Sequence, residues 1–195
     1  MSIKLTPKLK KEYEDLFASC SIKADKKAAV NTIRDKIIAN RHRYEEVQQT
    51  TKVPWFVVGM IHSLEGSLNF KTHLHNGDPL TAKTVHVPKG RPPGRPPFKW
   101  EDSAIDALEF DGLNKTNRWT LPMIMFKLEG FNGFGYRTRH PEVLTPYLWS
   151  YTNHYLKGKF VADGKFDANA VSKQCGAMAI LKALTSAGAV EAPSI

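Results

Sequence analysis

The chain has 195 residues, 42% hydrophobic and 24% charged, enough apolar material for one folded domain with its own core. It holds no run of 18 apolar residues, which excludes a membrane-spanning helix. A formal net charge of +9 points to a polyanionic partner, either nucleic acid or the anionic bacterial envelope.

The first segment, MSIKLTPKLKKEYEDLF, alternates charged with apolar residues and lacks the apolar core of a signal peptide. The expectation is synthesis in the cytoplasm without a signal peptide and another exit route for any work outside. Thr6-Pro7 reads as an N-cap and a first-turn proline, opening a helix through about Ala18. Asp25 caps a second helix with Ala28, Ile33, Ile37, Ile38 and Tyr44 on its apolar side, so residues 1–52 are N-terminal helices with solvated charges. Cys20 and the distant Cys175 read as buried free thiols. Val53-Pro54 then starts PWFVVGMIHSLEGSL, apolar nearly all round, as a central helix must be.

The period changes next. FKTHLHNGDPLTAKTVHV alternates around Asn76-Gly77, a strong hairpin signal, and predicts strands at 70–75 and 80–87. Residues 88–99, PKGRPPGRPPFK, form a proline-rich strap expected to run extended, with Arg91 and Arg95 either on the rim of a substrate cleft or on the surface facing an anionic partner. Helices are predicted at about 100–110, at 121–129 with Thr120 as cap, at 145–156 and from Asp167 to Leu184. Residues 190–195 read as a loose tail. The fold class is α+β, mainly α: one domain over 1–195, helical, with one β-hairpin after the central helix.

Glu65 lies near the C-terminal end of the most apolar helix. Burial and the negative end of the helix dipole both disfavour its charged form, and a carboxylic acid kept protonated near neutral pH is what a general acid requires. The alternative is a solvated glutamate on a polar stripe shared with His62. Asp78 follows the turn and Thr84 shares its strand face if that strand begins as early as Asp78. An acid on a helix end and an aspartate on a hairpin are the parts of a glycosidase site, although Asn-Gly-Asp-Pro is also a good turn in its own right.

Rival sites carry less. His73, His75 and His86 invite a zinc site, but His86 falls out of phase, and histidines on a hairpin face more often meet solvent or sugar. Ser63 and Ser67 have no nucleophile-elbow context. Glu101 is a reserve second carboxylate, although acidic residues at a helix start also favour the dipole. Glu129 precedes a Gly-Phe-Asn-Gly loop that it could buttress. Among Trp149, Tyr151 and Tyr155, spacing favours core roles except for Tyr151.

Glu65, the turn bearing Asp78, and Asp78-x5-Thr84 resemble the lysozyme superfamily, especially phage-type muramidases. LEGSLNF is also similar to the Glu-Ser-x-Phe helix end of soluble lytic transglycosylases and goose-type lysozymes, with Gly66 where serine would stand. EGFNGFGYR, residues 129–137, resembles their Tyr-Asn-Ala-Gly stretch. The resemblance implies a lysozyme-like fold and a monomeric endolysin that cleaves the bond between N-acetylmuramic acid and N-acetylglucosamine in peptidoglycan glycan strands. It implies no cofactor and no metal. Glu65 would be the acid, Asp78 and Thr84 would position water or stabilise the oxocarbenium-like state, and Asn132, Gly133, Tyr136, His73 and Tyr151 would meet the sugar. If Glu65 acts alone, the sugar's own 6-hydroxyl closes an anhydro ring, the lytic transglycosylase outcome. A different class stays open: a non-enzymatic DNA-binding protein that uses the GRPPGRPP tract as a minor-groove hook.

Overall fold

Nine α-helices, two short 3-10 turns (Ala24–Lys26 and Leu113–Lys115) and one two-stranded antiparallel sheet make up the regular structure of the computed structural model, which describes residues 3–195. The helices are α1 (Pro7–Ala18), α2 (Lys27–Ala39), α3 (Arg41–Thr51), α4 (Trp55–Gly66), α5 (Trp100–Phe110), α6 (Leu121–Phe131), α7 (Gly135–Arg139), α8 (Pro146–Trp149) and α9 (Ala177–Ser186). The strands are β1 (Lys159–Ala162) and β2 (Lys165–Asp167). The chain divides into two compact units, one of residues up to Arg34 and from Thr120 onward, the other Asp35–Trp119.

In the first unit, α1 packs on α6, α6 on α8 and α8 on α9. Thr6 Oγ1 accepts the Leu9 N–H at 3.2 Å and Pro7 fills the first turn, so α1 starts where the sequence places it. Tyr13, Ile124, Met125, Leu128, Trp149 and Ile180 are buried. Gly176 precedes α9 because nothing larger fits: a Cβ there would stand 2.6 Å from the Leu148 carbonyl oxygen. Phe160 opposes Phe166 across the sheet.

In the second unit, α3 packs on both α4 and α5. Nine of the twelve α4 residues are buried, including Val57, Val58, Met60 and Ile61, each worth roughly 1.5–3 kcal/mol of transfer free energy. The start of α4 is capped from α3, where Gln48 Oε1 accepts the Trp55 N–H at 2.6 Å. Its end is set by Ser67 and Leu68, both at positive φ, whose N–H groups donate back to the His62 carbonyl.

Several expectations need correction. The second predicted helix is two, α2 and α3, broken at Asn40. The segment 70–87 holds no strand, only an isolated antiparallel bridge between Thr72 and Pro79; the sheet lies instead at 159–167. The helix predicted at 145–156 stops at Trp149, since Ser150 is extended and Tyr151 has φ +69°. The last helix begins at Ala177 rather than Asp167, because the Asp167 side chain accepts the Asn169 and Ala170 N–H groups in a turn. The tail is tied down: the Ser194 carbonyl accepts the Leu121 N–H at 2.8 Å. The strap is a series of bends, with cis bonds before Pro88, Pro92 and Pro97, rather than an extended segment. No helix of the described residues is long and apolar enough to cross a membrane, and both cysteines are buried and free.

Candidate functional site

Only Phe56, Ser63 and Glu65 of α4 escape full burial. Glu65 is thus a half-buried carboxylate in the last turn of a helix fixed on nearly every side. The chain then turns back at 71–80, where the Asp78 carbonyl accepts the His73 N–H at 2.7 Å and the Lys71 carbonyl accepts the Leu80 N–H at 3.1 Å. The tip of this turn lies on the helix end, with Gly77 at φ +81° facing the Glu65 carbonyl.

Asp78 is buried, and both its oxygens are engaged. Oδ2 accepts the Val85 N–H at 2.8 Å and the His86 N–H at 3.0 Å, while His86 Nδ1 lies 2.7 Å from Oδ1. Burial works against the charge, but the hydrogen bonds from the His86 side chain and the two N–H groups prevail and hold its pKa down to about 2. Thr84, also buried, donates from Oγ1 to the Pro88 carbonyl at 2.5 Å and accepts the Arg91 N–H at 2.9 Å. Asp78 and Thr84 therefore organise the loop 84–91 from within.

His73 was expected on an exposed face, yet it is fully buried: Nδ1 lies 2.7 Å from Ser103 Oγ and Nε2 2.7 Å from the Ala82 carbonyl oxygen. It pins the turn to α5 and has no ring nitrogen left for a sugar. His75 is also drawn inward, with Nε2 2.8 Å from Asp106 Oδ2. Arg91 grips the same Asp106 carboxylate with two guanidinium nitrogens and lies over the Phe110 ring, 5.3 Å from its centroid. The strap is thereby bolted to α5, and of its two arginines only Arg95 is exposed. No group of three or more His, Cys, Asp or Glu among the described residues could hold a metal. The reserve carboxylate Glu101 is paired with Arg43 at 2.5 Å; burial opposes its charge, but the arginine keeps its pKa below the usual value.

Behind Glu65 stands an aromatic box that the sequence did not announce. His62 is fully buried among Tyr44, Phe70 and Trp100, with Nδ1 3.1 Å from the Tyr44 hydroxyl. Burial, opposed by the Asn69 backbone, lowers its pKa to about 4, so the ring is neutral at pH 7. Gly66 leaves room for this ring, since a Cβ there would stand 2.9 Å from His62 Cδ2.

The remaining candidates belong to the first unit. Asn132, Gly133 and Tyr136 line one cavity of about 490 Å³, bounded opposite by Lys159, Phe160 and Ala162 of β1. The Tyr136 hydroxyl accepts the Phe160 N–H at 3.1 Å and its ring meets Phe160 edge to face. Tyr151 does not line this cavity; its hydroxyl donates to the Lys173 carbonyl at 2.6 Å. Glu129, on α6, accepts hydrogen bonds from Tyr13 of α1 and Arg137 of α7 and so ties the three helices together. The wall built by β1 was missed, although Asp163-Gly164 between KFVA and KFD is a legible hairpin signal.

Comparison with protein-family models, with curated proteins and with solved structures found no match. In the second unit Glu65 stands half-buried on a helix end, while Asp78, Glu101 and Asp106 hold loops and helices together. The first unit offers a cavity with an amide, an aromatic wall and open backbone at Gly133.

Proposed function

We propose that the chain cleaves the glycosidic bond between N-acetylmuramic acid and N-acetylglucosamine in peptidoglycan, with Glu65 as proton donor, as endolysin-type muramidases do. The observation that carries this reading is the placement of Glu65: a half-buried carboxyl in the last turn of a helix otherwise buried but for two residues, with the Asn76-Gly77 turn folded against it. Glu65 gives its proton to the glycosidic oxygen as the bond to the anomeric carbon breaks. A water then adds to that carbon and returns its proton to the Glu65 carboxylate. The net charge of +9 suits an anionic wall, which the protein would meet after release or export from the cytoplasm.

A second outcome of the same chemistry is favoured by Asp78. Its two oxygens already accept three hydrogen bonds from the 85–86 segment, which leaves Glu65 to act first as acid and then as base. In that case the muramoyl 6-hydroxyl, rather than water, adds to the anomeric carbon and passes its proton to Glu65. Mass spectrometry of products from purified sacculi separates the cases. New reducing ends mean hydrolysis and new 1,6-anhydro ends mean the transglycosylase route. Absence of both over a long incubation would sink the proposal. The DNA-hook reading loses its main support, since Arg91 is committed to Asp106.

A further inference from the structure

We infer that the cavity between α7 and β1 recognises the carboxylates of the peptide stem rather than the sugar alone. This deepens the peptidoglycan reading and rests on it. Arg137 and Arg139 both lie on α7 but have different fates. Arg137 is bound to Glu129 and to Glu12. Arg139 is exposed, lines the cavity, and makes no ion pair or side-chain hydrogen bond among the described residues. Lys159, on the facing strand, likewise makes no side-chain ion pair or hydrogen bond among the described residues and lines the same space. One acid, Asp163, stands at the rim against these two cations. Elsewhere in the chain, Arg41, Arg43 and Arg91 are each paired with a carboxylate.

The wall between the two cations is firm. Tyr136 is buried and hydrogen-bonded to β1, and Phe160 and Phe166 back it with rings 5.5 Å apart. Opposite them the floor is open, since a Cβ at Gly133 would meet nothing within 4 Å. An aromatic wall with two cations against one acid at its edge fits a ligand that is part uncharged and part carboxylate. Glycan bearing a short acidic peptide has that character, whereas chitin-type glycan lacks the acid.

The test is binding, measured by calorimetry on Glu65→Gln so that no probe is consumed. Three probes are used: the disaccharide-tetrapeptide, the bare GlcNAc-MurNAc disaccharide with its single lactyl carboxylate, and neutral chitotetraose. The double variant Arg139→Ala, Lys159→Ala is expected to lose about tenfold in affinity for the disaccharide-tetrapeptide, the sum of two modest ion pairs. It should lose less on the bare disaccharide and nothing measurable on chitotetraose. Lys159→Glu should weaken the tetrapeptide probe further than Lys159→Ala. Equal loss on all three probes, no loss on the tetrapeptide, or no binding of the tetrapeptide before substitution would each overturn the inference. Cleavage by the native chain is scored separately. A preference for the stem without cleavage removes the role of Glu65 alone, and cleavage without that preference removes the stem-binding role alone.

Discussion

Gly77 faces the carbonyl of Glu65 so closely that a Cβ added to it would stop 3.7 Å from that oxygen, in ordinary contact. The turn following the helix is thus seated on the residue proposed to donate the proton.

Gly77 sits at φ +81°, in the left-handed region. Alanine there would not clash, so its cost is that of the backbone alone, about 1–2 kcal/mol. Gly77→Ala is expected to lower the unfolding free energy by that amount, seen as a lower urea midpoint at unchanged slope. An unchanged midpoint would mean that the turn does not hold this conformation.

The same turn marks the limit of what the sequence reveals. Asn76-Gly77 correctly announces a reversal, and the apolar stretch of 53–61 correctly announces a buried helix. The flanking strands do not form because side chains take the hydrogen bonds that a ladder needs. Asp78 accepts the N–H groups of Val85 and His86, Thr84 accepts that of Arg91, and the prolines at 88, 92 and 93 donate none. Alternation of residue type was visible; long-range claims on the backbone were not. Glu65 was singled out by chemistry that local pattern can express, a carboxylate in an apolar helix. Asp106, which joins His75 to Arg91, could not be found that way, because its partners lie 31 and 15 residues distant.

His62 should make the fold sensitive to mild acid. Burial lowers its pKa to about 4, below the ordinary value of 6.5. An unfolded chain therefore takes up the proton first as pH falls. The stability contributed by the neutral ring is complete above about pH 6.5 and is lost progressively down to about pH 4, on the order of 3 kcal/mol in all. His62→Phe fits the aromatic box but strands the Tyr44 hydroxyl, so it should start less stable at pH 7. Its unfolding free energy should then vary much less between pH 6.5 and 4. An equal slope in the two proteins would show that another group governs the transition.

Asp78 acts in a lower window. Its folded pKa of about 2 lies below the ordinary 3.8, so its contribution is present above about pH 4 and fades as pH falls through about 2. Asp78→Asn removes the charge and presents an amide to the two loop N–H groups. We expect a melting temperature lower by about 2–4 °C at pH 7, with little difference from the native chain near pH 2. A loss of the same size at both pH values would argue against an ionised loop staple.

The central claim is the role of Glu65, and turbidity loss of permeabilised Gram-negative cells tests it most directly. Glu65→Gln keeps the shape and removes the proton donor, so lysis should slow by about 100-fold or more while the melting temperature stays close to that of the native chain. Lysis by the variant at the native rate would contradict the account.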